Sequence, residues 1–501
     1  MQYWDLKILF PLLFIACVIS MVFLCSKEKL QKNSYLWIIQ IVLFWIAAGY
    51  AGNQLKDQIN FLDSKSFIVI TIFSTSLFLI FLKPLATFVT GIWKNRKIWI
   101  QASNGIMILL VILLSLTNLP LWALIITSIL LSLSIASSTL FYLFLNEQSF
   151  YRIYVLPSVW ITFVFMTFSS TFGIYLSNLN IVIGQKALSS NLTLSIILIL
   201  MLASSMALSF FTKENKNMVQ VFDQEILEHL PKKNNKLFLL IYLLGFLLAL
   251  TSAINNSLVI KLFIALNLTK FNLSDESIYL WMRINDFIYL IPTIFASIIS
   301  YKILTKIFEQ KYLIFINLFV LFGVYTAMAF VQNPFVFIVL NLIAGISFNQ
   351  IIYSLFSVCM FWNYRARKNP VTGFYGSAMI GAYFLVEVSQ NIISELNLGI
   401  FKDFSNLKEL LEFRNSFDTS AMNNTLAVFD DATTIIMSIA CIIVLTFILI
   451  FYFMSNKIFA DYVKYKMATQ NLKVLIKKRV IAKTKTKFDV ESSIEEVQEN
   501  V

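Results

Sequence analysis

TSLFLIFLKPLATFVTGIWKNRKIWIQASNGIMILLVILLSLTNLP, residues 75–120, holds two apolar runs on either side of the basic tetrapeptide Lys94-Asn95-Arg96-Lys97, and ends on the tight turn Asn118-Leu119-Pro120. A bilayer core of about 30 Å is crossed by roughly 20 predominantly apolar residues in a helix. A water-facing helix would need a polar stripe along one side, and neither run has one. The stretch therefore reads as two membrane-spanning helices joined by a basic turn. Lys83 followed at once by Pro84 is the exception inside it, an ammonium and a helix breaker among aliphatic and aromatic side chains.

Working outward, the same chemistry covers the whole chain. Of its 501 residues 58% are hydrophobic and 13% charged, against about 25% charged in soluble proteins, so it is an all-α polytopic membrane protein. Apolar runs lie near 7–25, 36–55, 66–92, 99–117, 120–145, 154–178, 191–211, 237–262, 279–301, 312–331, 334–362, 371–396 and 432–455, thirteen spans in all. With the N-terminus outside and the C-terminus inside, the clusters at 26–34, 94–97, 212–236, 301–311, 364–368 and the C-terminal tail all fall on the cytoplasmic side, as the positive-inside rule requires. Abundant Lys, Asn, Ile and Phe beside few Gly point to an AT-rich bacterial genome, hence a bacterial plasma membrane. No A-x-A follows the first run, and Asp5 precedes it, so it is read as a retained helix rather than a cleaved signal. Cys17, Cys25, Cys359 and Cys441 show no CxxC spacing and are read as packing residues.

The segment 1–35 is an extra N-terminal helix with a basic inner loop. Beyond it the runs divide into a six-helix half at 36–211 and another at 237–455, joined by a charged cytoplasmic linker at 212–236 and followed by a tail at 456–501, basic and then acidic. Each half places a basic loop after its second helix, an almost absent outer loop after its third (Asn118-Leu119-Pro120; Gln332-Asn333-Pro334) and a basic inner loop after its fourth. They are parallel repeats.

In this layout the chain resembles the major facilitator superfamily, whose transporters have two six-helix halves around a central cytoplasmic linker. In that family the loop after the second helix usually reads G-x-L-x-D-R-x-G-R-R. Arg96 and Lys97 match its closing basic pair, whereas Phe88, Ile92 and Asn95 stand where the first Gly, the Asp and the second Gly belong. The family's gating Asp is therefore carried over to no residue here. The resemblance implies a central cavity lined by the first, fourth, seventh and tenth repeat helices, flanked where the second meets the eleventh and the fifth meets the eighth.

Ionisable groups in hydrocarbon are costly and usually face a cavity or a partner. Lys83, Arg283, Asp286 and Glu387 are such groups, on the second, eighth, eighth and eleventh repeat helices. Arg283 and Asp286 share a helix face and read either as a mutually neutralised pair or as an outer contact for an anion. Glu387 belongs to a small-and-polar stripe, with Gly373, Gly376, Tyr383, Gln390 and Asn391, and is the candidate for proton coupling. Lys83 and Glu387 lie at different depths, too far apart for direct pairing. Asn53, Asn255, Asn256, Asn349 and Tyr353 complete the candidate pathway, with interhelical amide bonding as the competing reading of the amides.

No phosphate-binding loop, Walker sequence or metal-spaced cluster appears, and His229 lies in an amphipathic part of the linker. No cofactor and no metal is expected. The sequence reads as a non-enzymatic, monomeric transporter that moves a small polar or anionic solute by alternating access, with protons as a candidate coupling ion. An exporter or flippase of lipophilic or lipid-linked molecules is the alternative, and a polytopic transferase stands behind both. The tail around Lys477-Lys478-Arg479 is assigned to anionic lipid headgroups, not nucleic acid, since no aromatic residues interleave its charges. The long outer segment 397–431 contains an amphipathic helix near SNLKELLEFRNSF.

Overall fold

The computed structural model describes residues 32–59, 62–116, 119–149, 155–177, 190–212, 214, 235–271, 273–282, 284–286, 307–365, 370–402, 404, 406–416 and 423–460, with isolated positions at 15, 19, 23, 299, 303, 304 and 463. Among these, eleven helices are long and apolar enough to cross a membrane. They coincide with eleven of the thirteen runs read from the sequence. Most of the runs at 7–25 and 279–301, together with Arg283, His229 and the tail beyond 463, lies outside the described residues.

The chain begins its described course with α1 (Lys32–Ile59), then α2 (Ser64–Ile72), α3 (Thr75–Trp93), α4 (Lys97–Leu114), α5 (Leu121–Ile135) and α6 (Ser138–Ser149). The first half closes with α7 (Val155–Ser177) and α8 (Ser190–Phe211). After the linker come α9 (Asn235–Asn255), α10 (Leu258–Thr269), α11 (Gln310–Phe330), α12 (Pro334–Arg365), α13 (Val371–Glu395) and α14 (Leu407–Ser416). A last span, α15, runs over Asn423–Ala460. No strand occurs among the described residues.

Three runs that the sequence presents as single helices are interrupted: α2 from α3 at Phe73-Ser74, α5 from α6 at Ala136-Ser137, and α9 from α10 at Asn256-Ser257. Each break falls on clustered Ser, Thr or Asn, whose side chains compete with the helical hydrogen-bond ladder. Asn256 Nδ2 donates to Ser252 O at 2.9 Å, Ser137 Oγ donates to Ser134 O, and Ser257 Oγ caps α10 by accepting from the Ile260 amide at 3.4 Å. The break at 256–257 is further satisfied by Gln390 Oε1 of α13, which accepts from the Leu258 amide at 2.9 Å. Such interruptions inside a membrane occur where a cavity or buried protein surrounds the freed groups.

Glycines set the tightest crossings. A Cβ on Gly49 of α1 would stand 2.0 Å from Ser170 O of α7, and one on Gly173 of α7 would stand 2.0 Å from Ile46 O of α1. The two helices therefore touch backbone to backbone, which only a residue without a side chain allows. Between the halves, a Cβ on Gly373 of α13 would meet Pro84 Cα of α3 at 2.7 Å and Lys83 O at 2.8 Å. Helix α14 is tied to the second half: Arg414 Nη2 donates to Asp275 Oδ1 at 2.7 Å, and nearby Phe404 stacks on Phe429 with centroids 5.4 Å apart.

Candidate functional site

The crossing of α3 with α13 leaves a cavity of about 410 Å³ at the seam between the halves. From the first half it is lined by Trp45 of α1, Lys83 of α3, Ser138, Thr139 and Tyr142 around the start of α6, and Phe163 and Met166 of α7. From the second half come Asn349, Tyr353 and Phe356 of α12, with Tyr375, Gly376 and Tyr383 of α13. Ser138 and Thr139 follow directly on the break between α5 and α6.

Local packing places each side chain. Pro84 cannot donate to the carbonyl four residues back, yet α3 continues through it from Thr75 to Trp93. Thr87 Oγ1 donates to Lys83 O at 3.0 Å and shares a hydrogen with Thr139 Oγ1 at 3.2 Å, linking α3 to α6. The Lys83 side chain lies along Gly376: a Cβ there would be 3.3 Å from Lys83 Cδ and 3.6 Å from Nζ. Tyr353 is wedged between Trp160 and Phe163, with centroids 4.3 and 4.5 Å away. Tyr142 meets Phe356 edge-on at 4.9 Å across the seam, and Tyr383 donates its phenol to Ser252 Oγ at 2.9 Å.

Glu387 belongs to a second cavity of about 340 Å³, with Lys56 of α1, Ser74, Thr75 and Ser76 at the α2–α3 break, Ser128 of α5 and Asn391 of α13. Glu387 is eleven residues along α13 from Gly376, which is about 16 Å of helix. Lys83 and Glu387 are thus in separate compartments, one aromatic and one rich in hydroxyls.

The remaining candidates divide. Asn349 and Tyr353 share the first cavity with Lys83. Asn255 is buried in an amide chain, its Nδ2 donating to Asn341 Oδ1 at 2.8 Å while Asn341 Nδ2 donates to Asn285 Oδ1 at 2.7 Å. Asn256 bonds locally at the α9–α10 break. Asn53 Nδ2 donates to Ser177 Oγ at 2.8 Å and ties α1 to α7. Asp286 is ion-paired with Lys261 of α10 at 3.0 Å, a lysine that sequence reasoning passed over although it stands alone in the apolar run LVIKLFIALN.

Sequence reasoning also missed a charge cluster on the face of the basic loops. Arg96 is 2% exposed, and its Nη2 meets Glu147 Oε1 of α6 at 2.8 Å while Nε donates to Glu147 Oε2 at 2.8 Å. The Arg96 amide donates to Glu214 Oε1 at 2.9 Å, and Lys97 Nζ donates to Thr212 O at 2.8 Å. The turn after the second repeat helix is thereby fastened to the end of the fourth and to the start of the linker. Burial raises the Glu214 carboxyl above the ordinary value of 4.5, against the lowering effect of the Arg96 amide. The detectable signal was Glu147 itself, a carboxylate closing an apolar run in FLNEQSF.

No protein-family model and no curated protein matches the sequence. Among solved structures, the chain is similar to the human organic anion transporter MFSD10 (TETRAN) at 10% identity, TM-score 0.53, over 83% of this chain and 100% of that one. It is also similar to a bacterial homologue of the human lysosomal transporter Spinster, in an inward-facing and unoccupied conformation, at 12% identity, TM-score 0.51, over 86% of this chain and 98% of that one. These likenesses show a major facilitator fold in a multi-pass membrane protein.

Proposed function

We propose that the chain is a membrane transporter that moves a small solute by alternating access, binding it in the cavity at the seam of the two halves. The observation that carries the reading is the position of that cavity: its wall is drawn from both halves, so a solute held there is released when the halves rock apart. The likeness in fold to transporters supports it. On this reading the protein is not an enzyme, and Lys83, Asn349 and Tyr353 face the solute. The aromatic wall also favours the second reading, export of lipophilic or lipid-linked molecules, because Trp45, Phe163 and Phe356 offer apolar surface.

Glu387 is proposed as the proton-coupling group. It occupies a compartment of its own, next to Lys56 and a row of hydroxyls, where gain or loss of its charge changes the attraction between α1 and α13. Placement in a bacterial plasma membrane rests on the residue usage, and the orientation, N-terminus outside and C-terminus cytoplasmic, on the distribution of Lys and Arg over the loops.

Proteoliposomes containing the purified chain, incubated with a mixed metabolite pool and read by mass spectrometry of the lumen, are expected to accumulate at least one solute over empty liposomes. An imposed pH gradient is expected to change that accumulation, and Glu387→Gln to abolish the response while sparing exchange. No accumulation overturns the transport reading. An unchanged pH response in the variant removes Glu387 from the mechanism.

A further inference from the structure

Resting on the reading of the seam cavity as the solute site, we propose that its cargo is an amphipathic organic monoanion, a flat apolar body ending in one carboxylate or sulfonate, with Lys83 as its counter-charge. The geometry of the anionic end comes first. Lys83 lines the cavity, and no Asp or Glu is among the described residues that line it with it. Elsewhere in the molecule the ammonium groups of Lys261, Lys311 and Lys408 each lie within 4.0 Å of a carboxylate. Lys83 has no such partner among the described residues, and its stem is held against the bare face of Gly376.

A cation lining a cavity that offers it no carboxylate calls for an acceptor group that carries negative charge on the solute. A carboxylate or sulfonate accepts charge-assisted hydrogen bonds from such an ammonium.

The rest of the wall selects what the anion is attached to. Trp45, Phe163, Phe348, Tyr353 and Phe356 present ring faces and edges, which favour a flat apolar body. A polyhydroxylated solute would leave its own groups unpaired against them. The single cation limits the charge to one, because a second negative charge would be desolvated without compensation. The volume, about 410 Å³, is within the roughly 300–1,000 Å³ typical of small-molecule sites.

The test uses the full chain in lipid nanodiscs and three probes with one body: 2-naphthylacetate, 2-naphthylacetamide and 2-(2-naphthyl)ethylamine, titrated calorimetrically. The acid is expected to bind at least about tenfold more tightly than the amide, and the amine not at all. Lys83→Gln is expected to lower acid affinity by about tenfold or more while leaving amide affinity unchanged. Lys83→Arg is expected to keep the preference for the acid. Equal affinity for acid and amide, tighter binding of the amine, undiminished acid binding by Lys83→Gln, or no binding of the acid overturns the proposal. Should Lys83→Gln fail to fold, the ranking of the three probes on the unmodified chain and on Lys83→Arg decides it. Acid binding without flux in proteoliposomes overturns the transport reading alone, whereas flux with no preference for anions overturns this inference alone.

Discussion

Arg96 and Glu147 form a doubly hydrogen-bonded pair whose side chains are 2% and 0% exposed. Removing one member of a buried pair leaves an uncompensated charge, which costs about 3–5 kcal/mol, whereas replacing both with apolar groups is often neutral. Arg96→Met is therefore expected to lower unfolding stability by about that amount, and Arg96→Met with Glu147→Met to recover more than half of it, measured by denaturation in lipid nanodiscs. Glu214 beside them makes a prediction in pH. Its carboxyl is raised above 4.5 by burial, so the folded chain takes up a proton at a pH where the unfolded chain remains ionised. Linkage then gives a stability that increases as pH falls through the raised value toward 4.5 and levels off below it. Compared with Glu214→Gln, the unmodified chain is expected to gain melting temperature over that window on acidification. A pH-independent difference would show that Glu214 titrates alike in both states.

At the scale of the elements, two kinds of helix contact differ in consequence. The α1–α7 crossing lies within one half, and Gly49→Ala would drive a methyl group to 2.0 Å from Ser170 O. Backbone cannot yield as a flexible side chain does, so this substitution is expected to prevent recovery of folded protein, read as loss of a monodisperse peak in size-exclusion chromatography. The α3–α13 crossing lies between the halves, and Gly373→Ala would place its methyl 2.7 Å from Pro84 Cα. Each half keeps its own packing in that variant. The expected outcome is a folded protein whose halves stand apart at this seam, seen as a longer spin-label distance between α3 and α13. An unchanged distance would mean that the crossing has slack. The interrupted helices belong here too, since Ser138 and Thr139, beside the break at Ala136-Ser137, line one cavity and Ser74, at the break Phe73-Ser74, lines the other.

Across the whole molecule, Lys83 and Glu387 line two different cavities. Lys83 and Glu387 are on helices that cross, but about 16 Å of α13 divides the positions at which they meet the seam, and each has different company: aromatic rings for Lys83, hydroxyls and Lys56 for Glu387. Substrate chemistry and coupling chemistry are then expected to be separable by mutation. Lys83→Gln should change which solutes are carried, and Glu387→Gln should change only how transport responds to a pH gradient. A shift of solute preference in Glu387→Gln, measured as relative uptake from a mixed pool, would show the two compartments to be one functional unit.

The apolar runs, the basic loops and the repeated turn at Asn118-Leu119-Pro120 and Gln332-Asn333-Pro334 were enough to read the fold class from the sequence. The bilayer demands about 20 apolar residues per crossing, a requirement written locally along the chain. The amphipathic helix Leu407–Ser416 was legible from the helical spacing of its apolar residues, which is equally local. The division of the amides was not: Asn255 lies in a chain with Asn341 and Asn285, while Asn349 faces the cavity, and spacing along one helix does not say which neighbour it meets. Glu147 closes an apolar run in the sequence, and folding sets it against Arg96, 51 residues away. Hydrophobic length is a property of a segment and survives in the sequence. Which polar group is left facing a cavity depends on which partners the other helices bring to it, and only the tertiary structure decided that.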